Sequence, residues 1–92
     1  MQQENAQIIG VNALGWIAGQ ESIFEAFLNN TGARIDDLRA QAAEPEFLAQ
    51  VLDFVMLQDE WVLEFAAAVS IAPEQVLTAR VILGGGDMRH WT

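Results

Sequence analysis

Carboxylates are the most numerous groups in this chain that could take part in chemistry. Glu21 and Glu25 are four residues apart, as are Glu60 and Glu64, so each pair would share one face of a helix. Such a pair could hold a cation. Calcium loops, however, need ligands at alternating positions around a glycine turn, and di-iron bundles need a Glu-x-x-His motif. Neither pattern occurs, so we predict no metal site and no cofactor, and we interpret the pairs as solvated faces.

The nucleophiles and proton carriers that enzymes use are scarce. The chain has no cysteine, lysine or tyrosine, and its one histidine is His90. Ser22 and Ser70 are predicted to be cap or turn residues. The glycines 84–86 follow a predicted helix, whereas a phosphate-binding glycine loop precedes one. We therefore predict that the protein is not an enzyme and has no catalytic residue.

The C-terminal tail, residues 87–92, places a cation, a titratable ring and a large aromatic side chain together in Arg89, His90 and Trp91. Trp and Arg are common anchors of protein interfaces. Two interpretations stay open. Either Trp91 docks on the rest of the domain and completes its core, or the tail faces a partner and these three residues bind it.

The elements that must position these groups are predicted to be helices, because apolar residues recur at three- and four-residue steps. No β-hairpin signal occurs. A capping box at residues 22–25 and a cap at Asp59 are predicted to begin the second and fifth helices. Pro45 and Pro73 are predicted to begin the fourth and sixth. The six helices are expected at about residues 3–18, 21–30, 36–42, 45–57, 59–69 and 73–83.

The two halves of the chain match at an offset of 38 residues, which pairs Leu14 with Leu52, Gln20 with Gln58 and Phe27 with Phe65. Such a period is typical of one unit that cannot bury its apolar face alone. The alternative is that any two helical segments share periodicity. We predict an all-α compact bundle of two tandem three-helix repeats, with the first and fourth helices central. The single domain covers 1–86, and its repeats cover about 6–43 and 44–83.

The last two helices of each repeat are compatible with a helix-turn-helix, most clearly from Phe65 to Val76. A DNA reader places its last helix in the major groove and offers basic or amide side chains there. The carboxylates on the two candidate helices would repel phosphates. One helix would offer Glu74, Gln75, Thr78 and Arg80, and the other would offer Asp36, Asp37, Arg39 and Gln41. We predict no nucleic-acid binding and keep a degenerate helix-turn-helix regulator as an alternative.

The charge balance favours some partners over others. Four arginines face thirteen carboxylates, and the formal net charge is −9. This deficit of cations disfavours nucleic acid and anionic membranes and favours a basic protein. Alternatively, the charge only keeps an apolar-rich protein soluble. No apolar run approaches the ~20 residues that span a bilayer, and Met1–Gln7 lacks the charge of a secretory leader. We expect a cytoplasmic protein.

Several stretches resemble a known family. They are Ala13-Leu14-Gly15-Trp16-Ile17-Ala18, the segment from Phe27 through Thr31-Gly32 to Arg39, Val51-Leu52-Asp53-Phe54, and the glycines followed by a Trp near the end. Together they are similar to the alphaproteobacterial domain-of-unknown-function family 3572. The resemblance implies a small cytoplasmic bacterial protein and brings no activity, cofactor or catalytic residue. Ala33-Arg34-Ile35 departs from the Ile-x-Pro turn expected there.

The function is therefore not specified by any motif. Our leading hypothesis is a non-catalytic protein–protein interaction or regulatory module, either a monomer or a homodimer. It would use an acidic face or the residues Arg89, His90 and Trp91. The alternatives are the degenerate helix-turn-helix regulator and a binder of small ligands or metals.

Overall fold

The helices follow the predicted order closely. A computed structural model of the chain describes residues 1–84, in which no strand occurs. Its helices are α1 (Gln3–Ala18), α2 (Glu21–Thr31), α3 (Leu38–Gln41), α4 (Pro45–Val55), α5 (Asp59–Ala68) and α6 (Pro73–Leu83), with a 3-10 turn (Ile35–Asp37) directly before α3. No single helix in this range is both long and apolar enough to cross a bilayer. The all-α prediction is confirmed.

Proline and glycine define several of the helix ends as predicted. Pro45 and Pro73 are the first residues of α4 and α6, where a missing N–H group removes no helical hydrogen bond. Gly32 ends α2 with a φ of 72°, a left-handed conformation that glycine adopts without steric cost. Its N–H donates to the carbonyl oxygen of Leu28 at 2.9 Å. These local signals therefore set the helix boundaries.

The two predicted side-chain caps are wrong. Gln20 and Gln58 are the N-cap residues of α2 and α5, and neither helix has a side-chain cap hydrogen bond within the described part of the chain. Ser22 consequently lies inside α2, and Asp59 is the first residue of α5 rather than its cap. Glu21 and Asp59 instead lie in the first helical turns. A carboxylate there is favoured by the positive end of the helix dipole.

Three helices form the centre of the bundle. α1, α4 and α6 make the most extensive contacts with one another, while α2 packs mainly on α1 and α5 on α6. α1 and α4 are therefore central, as predicted, and α6 is a third central helix. α4 is buried on most of its surface, and Gln50 and Asp53 are among its few exposed residues.

Aromatic side chains fill the space between the outer and central helices. Phe27 of α2 is fully buried and contacts Phe54 of α4 edge-on, with the ring centroids 5.4 Å apart. Trp61 of α5 stacks on the same Phe54 at 5.1 Å. On the α1 side, Trp16 lies 6.0 Å from the fully buried Phe65. These aromatic contacts tie α2 and α5 to the central helices.

The predicted repeat is compatible with several features of the two halves. Phe27 and Phe65 are both fully buried, and Gln20 and Gln58 are both N-cap residues with a φ of −128°. The last helices of the two units differ, because α3 has 4 residues and α6 has 11. α6 packs on both α1 and α4, and α3 makes no comparable contact with either. The repeat stays a prediction.

Candidate interaction surface

The carboxylate pairs that were interpreted as solvated faces lie on the surface of two different helices. Glu21 and Glu25 are exposed on α2, and Glu60 and Glu64 are exposed on α5. Within residues 1–84, no group of three or more His, Asp or Glu side chains is arranged to hold a metal ion. The predicted partner-binding residues Arg89, His90 and Trp91, and the rest of the tail, lie outside the described residues. Their role stays a prediction.

The α5–α6 pair has the shape of a helix-turn-helix. The two helices meet at an angle of 98° across the turn 69–72, within the ~90–120° typical of that motif. Ser70 in this turn has a φ of 59°. The Ile71 N–H donates to the carbonyl oxygen of Ala66 at 2.9 Å, the hydrogen bond of a Schellman motif. Geometry alone therefore permits the helix-turn-helix alternative.

The outward face of α6 is poorly suited to phosphates. Its exposed side chains include Glu74, Leu77 and Thr78. Its one cation, Arg80, donates through Nε to a carboxylate oxygen of Asp53 on α4 at 2.6 Å. Arg80 is thereby directed toward α4 and partly neutralised. The face that would enter a groove in DNA carries a carboxylate and no other charge.

α1 is apolar on two opposite sides, and only one of them is buried. Its inner side consists of Ala6, Ile9, Ala13 and Ile17, all buried in the core. On the opposite side, five exposed residues follow one another at steps of four and three, and they are Glu4, Ile8, Val11, Gly15 and Ala18. We call these five residues the α1 strip. Steps of four and three keep side chains in line along a helix, so the strip is a continuous row.

The two glycines inside α1 have different surroundings. A Cβ atom placed on Gly10 would lie 2.9 Å from the Cβ of Leu48, so Gly10 lets α1 and α4 approach closely. A Cβ placed on Gly15 would meet no atom of residues 1–84 within 4 Å. Glycine within a helix costs about 1 kcal/mol relative to alanine. The close approach of α1 and α4 explains why residue 10 is a glycine, whereas no contact within residues 1–84 explains why residue 15 is one.

The strip carries a single charge, Glu4 at its N-terminal end, on an acidic protein. Glu4 is the only ionisable side chain in α1. Ile8 is 57% exposed and Val11 is 46% exposed. Leu63 on α5 is equally exposed at 57%, but it lies one helical turn from Asp59 and Glu60. From Ile8 to Ala18 the strip therefore combines exposed apolar area with a lack of charge.

Two of the open grooves in the described bundle lie beside α1 and between α2 and α4. The first, of about 490 Å³, lies beside the N-terminal half of α1 and is lined by residues that include Met1, Ile8, Asn12 and Ile71. It reaches from the strip toward the α5–α6 turn, and Asn5, Asn12 and Gln75 give it a partly polar lining. The second, of about 330 Å³, lies between α2 and α4, with Phe54 and Leu57 on its apolar side and Asn30, Gln50 and Asp53 among its polar residues.

The α1 strip was not predicted from the sequence, although the sequence contains one signal for it. Ile8 and Val11 are apolar at a spacing that places them opposite Ala13 on the helix. Gly15 continues that row in the last turn of the helix. The combination of an apolar row and an unexplained glycine is the pattern that could have identified it.

These observations define the class of protein: a small all-α bundle whose first helix leaves an apolar row exposed. The chain belongs to the DUF3572 family of proteins of unknown function, which matches residues 3–86. This confirms the family resemblance. No curated protein and no solved structure matches the chain. The family brings no activity, so function rests on the surface itself.

Proposed function

We propose that this protein is a non-catalytic interaction module that binds the apolar face of a partner helix along the α1 strip. The observation that carries the proposal is the position of Ile8, Val11, Gly15 and Ala18 in one exposed row. Helix-in-groove recognition uses side chains at such spacings. The strip runs from Glu4 to Ala18, a length of about 21 Å along the helix.

The energetic basis is the apolar area that the strip leaves in water. Fully burying a large aliphatic side chain contributes about 1.5–3 kcal/mol. Ile8 and Val11 are each about half exposed, so covering them contributes roughly 1 kcal/mol apiece. Gly15 adds no area of its own, but it lets a partner backbone approach closely. A partner helix with an uncharged face thus gains more here than on the carboxylate-bearing helices.

The composition supports a binding role over a catalytic one. The chain contains no cysteine, lysine or tyrosine, and Glu21, Glu25, Glu60 and Glu64 lie exposed on separate helices. The net charge of −9 favours a basic protein for any contact made by those carboxylates. Such a contact would use a different surface from the strip.

Photo-crosslinking in the cells that produce the protein tests this function. A photoreactive amino acid replaces Ile8 in one variant and Leu63 in the other, because both residues are 57% exposed. We expect a discrete adduct from position 8 and none of the same mass from position 63. Adding Gly15→Leu, which places a large side chain where the strip has none, should remove the adduct. Identical adducts from both positions, or none from position 8, would contradict the proposal.

A degenerate helix-turn-helix regulator is the second candidate, and the 98° angle between α5 and α6 favours it. The carboxylate of Glu74 and the pairing of Arg80 with Asp53 weigh against it. An electrophoretic mobility shift with random-sequence duplex DNA at low salt is the test, because phosphate contacts are strongest there. A protein that fails to shift DNA even at low salt is not a DNA reader.

A further inference from the structure

We propose that the partner helix is α1 of a second copy of this chain, packed antiparallel about a two-fold axis near Val11. This inference rests on the proposed function, since it names the occupant of the α1 strip. A two-fold contact requires a surface that complements itself, in which residue i meets residue j and j meets i. The strip meets that requirement in shape.

The order of side-chain sizes along the strip makes it self-complementary. In an antiparallel pair centred on Val11, the two Val11 side chains meet at the axis. Ile8 of each copy then lies over Gly15 of the other, and Glu4 lies beside Ala18. Each large side chain thus faces a small one, as in the interdigitated packing of helices. In a parallel pair, Ile8 would face Ile8 and Gly15 would face Gly15, which leaves a bulge and a gap.

Charge selects the same surface and the same orientation. Two copies with a net charge of −9 each repel one another, and α1 offers a long face with a single carboxylate. The antiparallel arrangement separates the two Glu4 side chains by about 21 Å along the axis. That distance exceeds the ~8 Å screening length at physiological ionic strength. A parallel pair would place the two carboxylates side by side.

The antiparallel pair also explains why residue 15 is a glycine. Among residues 1–84, no atom lies within 4 Å of the position that a Cβ on Gly15 would take, and yet the glycine lowers the stability of α1. In the antiparallel pair it receives Ile8 of the other copy and lets the two backbones approach. Small residues at a helix crossing permit such close approach, as Gly10 does against Leu48 inside the bundle.

The contact is expected to be weak. A single pair of helices covers less than the ~1,200 Å² of a standard interface, so the dissociation constant should be on the order of 0.1–1 mM. Raising the salt concentration should strengthen the dimer, because salt screens the repulsion between two acidic copies. A contact made by ion pairs would show the opposite salt dependence.

Cysteine crosslinking of the full chain tests the arrangement, and the chain contains no cysteine that would add background. Ile8→Cys and Gly15→Cys are prepared as separate proteins and oxidised alone and as an equimolar mixture. We expect the mixture to form the 8–15 disulfide at least about tenfold more than either protein forms a disulfide alone. Val11→Cys should crosslink to itself, and Leu63→Cys serves as the control that should not. Preferential 8–8 and 15–15 disulfides would overturn the antiparallel pair.

Sedimentation equilibrium of the cysteine-free chain provides the second readout. We expect a monomer–dimer equilibrium that Ile8→Glu weakens at least about tenfold, because it buries a charge, while Leu63→Glu leaves it unchanged. A chain that stays monomeric to millimolar concentration overturns the second copy as occupant. If the crosslinking in cells still gives a position-8 adduct with a different protein, the interaction function stands and only the self-pairing fails. If the chain forms neither a dimer in solution nor a position-8 adduct in cells, both proposals fail.

Discussion

Replacing each of the two α1 glycines with alanine should change stability in opposite directions. In Gly10→Ala, the new Cβ would lie 2.9 Å from the Cβ of Leu48 and 3.4 Å from its Cγ and Cδ2. Leu48 is 1% exposed, so it cannot move into solvent, and α1 must move away from α4. Overpacking of this kind costs about 1–3 kcal/mol, and the better helix propensity of alanine returns about 1 kcal/mol. We expect a net loss of roughly 1 kcal/mol.

Gly15→Ala gains the same helix propensity without the steric cost, because no atom of residues 1–84 lies within 4 Å of its new Cβ. It should therefore stabilise the folded monomer by about 1 kcal/mol. The two variants have identical composition and differ only in where one methyl group is placed. The expected difference between their free energies of unfolding is thus roughly 2 kcal/mol.

Urea unfolding followed by far-ultraviolet circular dichroism measures this difference. Protein concentrations well below the expected dimer dissociation constant keep self-association from adding to the stability. The slope of the free energy of unfolding against urea should be the same for both variants, which shows that they unfold from equally compact states. If Gly10→Ala is as stable as Gly15→Ala, α1 and α4 do not approach closely at Gly10, and the reasoning from the fold is wrong.

Three further substitutions test other parts of the structure. Ser70→Gly should stabilise the protein by about 1 kcal/mol in thermal unfolding, because a φ of 59° is strained for serine and not for glycine. A destabilised variant would show that residue 70 does not adopt that conformation. Phe65→Ala should cost about 3–5 kcal/mol in urea unfolding, since Phe65 is fully buried, and a loss below about 1 kcal/mol would contradict its burial. Arg80→Ala should change the free energy of unfolding by less than about 1 kcal/mol, because its ion pair with Asp53 is partly exposed to solvent. A larger loss of stability would contradict that exposure.

The helices and their ends could be predicted from the sequence because the signals for them are local. Pro45 and Pro73 begin helices through the geometry of one ring, and Gly32 ends a helix through the conformation of one residue. Such effects act within a few residues and do not depend on the rest of the fold. The caps predicted at residues 22–25 and at Asp59 are wrong because serine and aspartate also occur inside the first helical turn, so their presence does not identify the cap position. In the structure, Ser22 lies two residues after the N-cap Gln20, and Asp59 lies one residue after the N-cap Gln58.

Only the tertiary structure decided which side of α1 is buried and which one faces solvent. Ile8 and Ile9 are chemically identical neighbours, yet Ile9 is 7% exposed and Ile8 is 57% exposed. Local preferences cannot separate them, because the helix forms equally well with either side inward. The choice depends on distant contacts, such as that of Gly10 with Leu48 of α4. The sequence by itself therefore determined that α1 is an apolar helix, and packing against α4 and α6 determined that Ile8, Val11 and Gly15 remain on the surface.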